Sequence, residues 1–175
     1  MIRSKADRDV TVLLAEATSK ADQIRGEGDA ERNRIFADVF NQDQDFFAFY
    51  RSMQAYQAAL DQFKLGNYSL AVAAMQGFLV TYPSSSLAPN AQYWIGMAHS
   101  GQRDYKSAIA AQRKLLTQWP ASPKAPDAML SIASAQETMG DRTSARKTLE
   151  ELIAKYPGSS SATSAKQRLA ASAKR

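Results

Sequence analysis

A single histidine, His99, and no cysteine leave this 175-residue chain few ways to hold a metal or to activate a nucleophile. No carboxylate cluster accompanies His99 in the sequence, so a packed structural imidazole accounts for it better than catalysis or ligation. Asp43 and Asp45 flank Gln44 in an acidic connection, but a calcium loop needs further oxygens and a closing Glu that are missing. Asp43 is instead expected as a helix N-cap. Glu150 and Glu151 are sequence neighbours on a helix surface and do not face a common point, which excludes a paired acid–base role. The string Gly26-Glu27-Gly28-Asp29 has two acids and no Lys-Ser/Thr, so it repels rather than cradles a phosphate. Serines 84–86 and 159–161 read as loop and cap residues. The sequence predicts no enzyme, no cofactor and no metal site.

The elements that could still do something must therefore bind. The formal charge is +5, from 22 Lys+Arg and 17 Asp+Glu, and it divides unevenly. Residues 1–56 carry 8 basic and 10 acidic side chains; residues 57–175 carry 14 basic and 7 acidic. The basic side chains of the second part are scattered, without runs or interleaved aromatics, which argues for a solvated face and against nucleic acid. With 45% hydrophobic and 22% charged residues the chain reads as globular. No apolar run reaches the ~18 residues of a membrane span, so no membrane insertion is expected. Nothing after Met1 resembles a leader peptide, which suggests a recombinant, cytoplasmic product.

The second part repeats. The pairs Tyr82-Pro83, Trp119-Pro120 and Tyr156-Pro157 are spaced by 37 residues. The same step carries Ala71 to Ala108 and Ala145, and Leu79 to Leu116 and Ile153. It also carries Gly66-Asn67-Tyr68 to Arg103-Asp104-Tyr105 and Gly140-Asp141-Arg142. Each copy reads as a helix pair: in copy two, Pro89 to about Ser100, a turn, then Tyr105 to Trp119, stopped by Pro120. Small residues (Ala59, Gly96, Ala133; Ala71, Ala108, Ala145) mark close helix approach. The repeats span about 52–86, 89–123 and 126–160, and 162–173 begins a fourth copy that serves as a capping helix with Lys166, Gln167 and Arg168 outward.

Ile95-Gly96, Tyr105, Ala108 and Pro120 resemble the signature of the tetratricopeptide repeat, a helix–turn–helix unit of about 34 residues. Ala88-Pro89-Asn90-Ala91-Gln92-Tyr93-Trp94-Ile95-Gly96, together with the aromatic-Pro-x-Ser strings, resembles the CpoB (YbgF) family of Tol-Pal accessory proteins over residues 54–173. That resemblance implies TolA as partner and a role in coordinating peptidoglycan synthesis with outer-membrane constriction during cell division. The fold implied is all-α: a long N-terminal helix continuing into a three-repeat solenoid with a C-terminal capping helix. In such arrays the first helix of each pair lines a groove. By phase the groove positions are Met53, Tyr56, Leu60, Phe63 and Lys64 in copy one. Copy two supplies Asn90, Tyr93, Met97 and Ser100; copy three supplies Asp127, Leu130, Ser134 and Glu137. Leu60, Phe63 and Met97 fit packing between helices equally well.

The first part is different. Leu13, Ile24 and Ile35 lie 11 residues apart, as do Ala17, Gly28 and Val39, and no proline interrupts residues 4–40. An 11-residue period keeps an apolar stripe nearly straight along a helix. The stripe is thin, so the helix is expected to need a partner: a second copy, or its own Phe46, Phe47, Phe49 and Tyr50. Leu14-Ala15-Glu16-Ala17, Gly26-Glu27-Gly28-Asp29-Ala30-Glu31 and Asp45-Phe46-Phe47-Ala48-Phe49-Tyr50-Arg51-Ser52 resemble the C-terminal helices of the HflC branch of the band-7 (SPFH) family over residues 2–56. Those relatives are membrane-anchored and build cages around a protease; the resemblance here implies helix pairing alone. The expected domains are a long helix at 1–42, a shared helix at 43–65 and a repeat domain at 54–175. Two parentages meeting in one helix suggest an engineered fusion, with natural domain shuffling as the alternative. A scaffold whose first helix pairs or oligomerises, without retained partner binding, is the second functional expectation.

Overall fold

The described residues form eight α-helices, and from Lys64 onward proline, glycine and helix-capping aspartates mark the boundaries. The computed structural model describes residues 2–42 and 44–172, and side chains at 10–38 and 44–172. Two units divide the chain, Met1–Ala48 and Phe49–Arg175.

The first unit is dominated by α1 (Ile2–Gln42), 41 residues long, or about 60 Å at ~1.5 Å per residue. Ion pairs one turn apart support its surface: Asp22–Arg25 at 3.3 Å, Asp29–Arg32 at 3.2 Å and Glu31–Arg34 at 2.8 Å. Each adds a few tenths of a kcal/mol at most (about 0.2–0.5). Leu13, Ile24 and Ile35 are 63%, 61% and 53% exposed, and Ala17 and Gly28 are exposed beside them. The Val39 side chain and the Asp43 cap lie outside the described residues. Among those residues no helix is long and apolar enough to cross a membrane.

From Phe49 onward, within the helix Gln44–Lys64, the second unit consists of helix pairs. They are α2 (Gln44–Lys64) with α3 (Tyr68–Thr81), α4 (Ala88–Gly101) with α5 (Tyr105–Gln118), and α6 (Ala125–Thr138) with α7 (Arg142–Lys155), followed by α8 (Ser160–Ser172). The turn inside each pair is the same device. Gly66, Arg103 and Gly140 adopt φ of 79°, 62° and 84°, and the amide of each bonds back to the carbonyl three residues earlier. The next amide bonds five residues back, so each first helix ends in a Schellman closure. Asp104 and Asp141 then cap the following helices, their carboxylates accepting from the Ser107 and Ser144 amides at 3.1 and 3.0 Å. Asn67 makes no such cap.

Alanines at 0–2% exposure (Ala59, Ala71, Ala108, Ala133, Ala145) let the helices approach. Met75, Phe78 and Ile95 fill one core cluster, and Met129, Leu149 and Leu152 another. Copy two departs from this pattern. Gln92 and Gln112 are 2% and 0% exposed, at the phase of Ala55/Met129 and of Met75/Leu149. Gln92 Nε2 donates to the Ala111 carbonyl at 3.0 Å and Gln112 Nε2 to the Tyr93 carbonyl at 3.1 Å. Both Oε1 atoms lack a partner. Gly96, where the other copies have alanine, makes room: a Cβ there would lie 2.4 Å from Gln112 Nε2.

Candidate functional site

Because the pairs stack in register, the first helices α4, α6 and α8 lie side by side and enclose a depression of about 300 Å³. Tyr93, Met97 and Ser100 enter it from α4, Asp127, Leu130 and Ser134 from α6, and Arg168 from α8. The walls are tied at a constant offset. Ser131 Oγ approaches Met97 Sδ at 3.7 Å, Ser161 Oγ donates to Asp127, and Arg168 Nη1 donates to Ser134 Oγ at 2.7 Å; each pair is 34 residues apart. Asp127 takes a second charge-assisted bond from Lys124 Nζ at 3.2 Å. Lys124 Nζ also sits 5.1 Å from the Tyr93 ring centroid, a cation–π distance. Burial, reinforced by the Asp127 charge, raises the Tyr93 phenol above its ordinary value, so it stays a neutral donor.

Of the residues singled out by repeat phase, Tyr93, Met97, Asp127 and Leu130 line this depression, as do Ser100 and Ser134. The others fall elsewhere. Tyr56 is half-buried against Phe78, with ring centroids 5.9 Å apart, and its hydroxyl accepts from Trp94 Nε1 at 2.8 Å. Burial raises its pKa, opposed by that hydrogen bond. Phe63 stacks tilted on Trp94 at 4.8 Å, and Leu60 packs on the first core cluster. Lys64 is exposed and pairs with Asp61 at 3.0 Å. Asn90 is half-buried near the start of α4, outside the depression. Glu137 also lies outside it, 3.8 Å from the Arg168 guanidinium. Met53 is 40% exposed on α2.

The phase argument omitted Lys124, Ser131, Ser161 and Arg168. The 37-residue step locates equivalent positions, whereas facing positions on successive first helices differ by 34, and that second spacing finds the latter three.

A wider cleft of about 720 Å³ is bordered by α3, α4 and α5 and includes His99 and Lys114. The buried His99 Nδ1 makes no hydrogen bond, and the nearest carboxylate, Asp104, is 4.0 Å away. Among the described residues no group of three His, Asp or Glu side chains could hold a metal ion.

The family model described as "YfiO: Outer membrane lipoprotein" matches residues 50–175. About a third of the chain is similar to another set of proteins. It is 52% identical over 56 residues to "Modulator of FtsH protease HflC" from Escherichia coli K12, covering 32% of this chain and 17% of that protein. It is 43% identical over 58 residues to "Protein HflC" of Haemophilus influenzae, covering 33% and 20%. The aligned segment thus spans about a fifth or less of these relatives. Among solved structures, PcrH in complex with the chaperone binding region of PopB superposes with a TM-score of 0.56 at 14% identity, covering 69% of this chain and 93% of that one. SycD, the Yersinia enterocolitica type III secretion translocator chaperone, gives 0.56 at 22%, covering 69% and 88%. The second TPR domain of human RPAP3, solved with an HSP70 peptide, gives 0.55 at 14%, covering 69% and 96%. These likenesses define an all-α tetratricopeptide-type solenoid.

Proposed function

We propose a non-catalytic, partner-binding role for this chain, which belongs to the YfiO family of outer membrane lipoproteins over residues 50–175. The observation that carries the proposal is the depression between α4, α6 and α8. There the apolar flanks of Tyr93, Met97 and Leu130 stand beside Asp127 and Arg168, whose ion-pair partners Lys124 and Glu137 lie outside the depression. Apolar anchors with a few fixed polar groups suit a peptide or amphipathic helix. The PcrH and RPAP3 structures each hold a partner segment, which supports the same use of the fold here.

The finer proposal follows the CpoB-like residue strings. The partner is a TolA segment, and the role is coordination of peptidoglycan synthesis with outer-membrane constriction, performed by a domain of periplasmic ancestry spanning about 54–175. Titration of the full chain with a TolA segment, followed through the fluorescence of Trp94 and Trp119, tests it. Saturable binding weakened about tenfold or more by Leu130→Glu is expected, a loss of about 1.4 kcal/mol. No saturable binding, or binding indifferent to Leu130→Glu, refutes the groove.

A second reading rests on α1, whose apolar stripe is more than half exposed. In it the HflC-like helix, residues 1–42, pairs with another helix, and the chain is an engineered joining of two parentages through a helix at 43–65. Sedimentation across a wide concentration range tests the pairing; a strict monomer refutes it.

A further inference from the structure

Two positions of the repeat change character in copy three. The position held by Tyr68 and Tyr105 in copies one and two is Arg142, and that of Val72 and Ile109 is Arg146. In copy one both side chains pack: a Cβ on Gly101 would lie 2.6 Å from the Tyr68 ring, and Val72 rests on the first core cluster. In copy three both arginines are exposed and border a cleft of about 660 Å³ between α7 and α8, joined there by Arg168. Leu149 and Leu169 add apolar lining. Glu137 is the one carboxylate among the described residues that border the cleft.

The positive charge there is only partly answered. Among the described residues the Arg142 guanidinium has no hydrogen-bond or ion-pair partner, and the adjacent Asp141 carboxylate is committed to the Ser144 amide at 3.0 Å. Arg146 reaches Glu150 at 2.9 Å, but both side chains are more than half exposed, so that pair is weak and exchangeable. Arg168 donates to Ser134 and stands 3.8 Å from Glu137. Like charges four residues apart on one helix face repel, and an anion between Arg142 and Arg146 relieves that repulsion. A free anion would use the charges alone; the leucines beside them favour a carboxylate carried next to an aliphatic side chain. We propose that this cleft is a second binding site, separate from the depression, for an acidic segment of a partner protein. One carboxylate of the segment is held between Arg142 and Arg146, and a neighbouring aliphatic side chain lies on Leu169. Arg168 alone borders both sites.

A labelled Glu-Leu-Glu-Glu-Leu peptide, titrated into the full chain and followed by fluorescence anisotropy, is expected to bind saturably, and its Gln-for-Glu counterpart is not. Arg142→Glu/Arg146→Glu weakens binding about tenfold or more, and that chain takes the Lys-for-Glu peptide instead. Both arginines are exposed, so the exchange spares the core; the milder Arg142→Gln/Arg146→Gln weakens binding in the same direction. Arg113→Glu/Lys114→Glu, an equal change of charge on α5, and Leu130→Glu in the depression each leave affinity within about twofold. No saturable binding, or binding indifferent to the α7 exchanges, overturns the site. Equal losses from the α5 and α7 exchanges show unlocalised attraction to a basic chain and overturn it as well. Loss on Leu130→Glu places the peptide in the depression, which refutes a separate site while sustaining the groove. A Glu-Ala-Glu-Glu-Ala peptide that binds as tightly and is displaced by millimolar inorganic phosphate shows a small-anion site and overturns the protein-segment assignment.

Discussion

Gly96→Ala, an ordinarily favourable substitution in a helix, is expected to destabilise this protein, and Gln112→Leu is expected to reverse that effect. In mid-helix, glycine to alanine gains about 1 kcal/mol of propensity. At position 96 the new methyl would lie 2.4 Å from Gln112 Nε2, 2.6 Å from Cδ and 2.9 Å from Cγ. The amide cannot swing aside, because Gln112 is 0% exposed and its Nε2 is held by the Tyr93 carbonyl. Overpacking costs about 1–3 kcal/mol. Displacing the amide from its only bond adds about 1–3 kcal/mol more. The net expectation is a loss of about 2–3 kcal/mol. With leucine at 112, as at the equivalent position 149 beside Ala133, the obstructing amide and its unpartnered oxygen are both gone. Gly96→Ala then gains up to about 1 kcal/mol. Urea denaturation of the four chains of this double-mutant cycle, with tryptophan fluorescence (Trp94 and Trp119) as signal, gives a coupling energy of about 3 kcal/mol. A loss of the same size in both backgrounds, or no loss in either, would refute the steric argument.

Two further expectations concern the turns. Arg103 holds the left-handed backbone that Gly66 and Gly140 hold in the other copies. Arg103→Gly is therefore expected to stabilise by about 0.5 kcal/mol, after the added freedom of the unfolded chain is subtracted, whereas Gly140→Ala loses about 1 kcal/mol; thermal midpoints measure both. The Asp104 and Asp141 carboxylates are held below their ordinary pKa, chiefly by hydrogen bonds from Ser107 and Ser144. The folded chain thus binds fewer protons there than the unfolded chain. The stabilisation is present above the unfolded value of about 3.9 and is lost as pH falls through the folded values. Urea midpoints measured from pH 7 to pH 3 should fall less steeply in the Asp104→Asn/Asp141→Asn chain, which keeps cap geometry without the titration; an unchanged slope refutes the assignment.

The helix pairs were legible because each boundary is written locally: proline near the start of α4 and α6, an aspartate cap on α5 and α7, an aromatic-Pro exit after α3, α5 and α7. The 37-residue step brought Tyr93, Met97, Asp127 and Leu130 to one face without any distance being known. Other features depended on where side chains turn in three dimensions. Tyr56 looked available until Trp94, 38 residues on, proved to donate to its hydroxyl. Glu137 looked like a groove acid, yet it lies beside Arg168 from a helix that repeat phase treated as a polar end. The two buried glutamines of copy two read as ordinary helix residues, since nothing in linear sequence shows Gln112 lying over Gly96.

The bonds that fasten α8 have a bearing on occupancy. Ser161 and Arg168 hold it to Asp127 and Ser134, two residues that also line the depression. A visitor that takes Asp127 or Ser134 for itself loosens the last helix, whereas one that leaves both in place and fills only the Tyr93–Met97–Leu130 recess clamps it. The sign of the change in amide-exchange protection along α8 therefore reveals how a visitor sits, before any complex is seen at atomic detail.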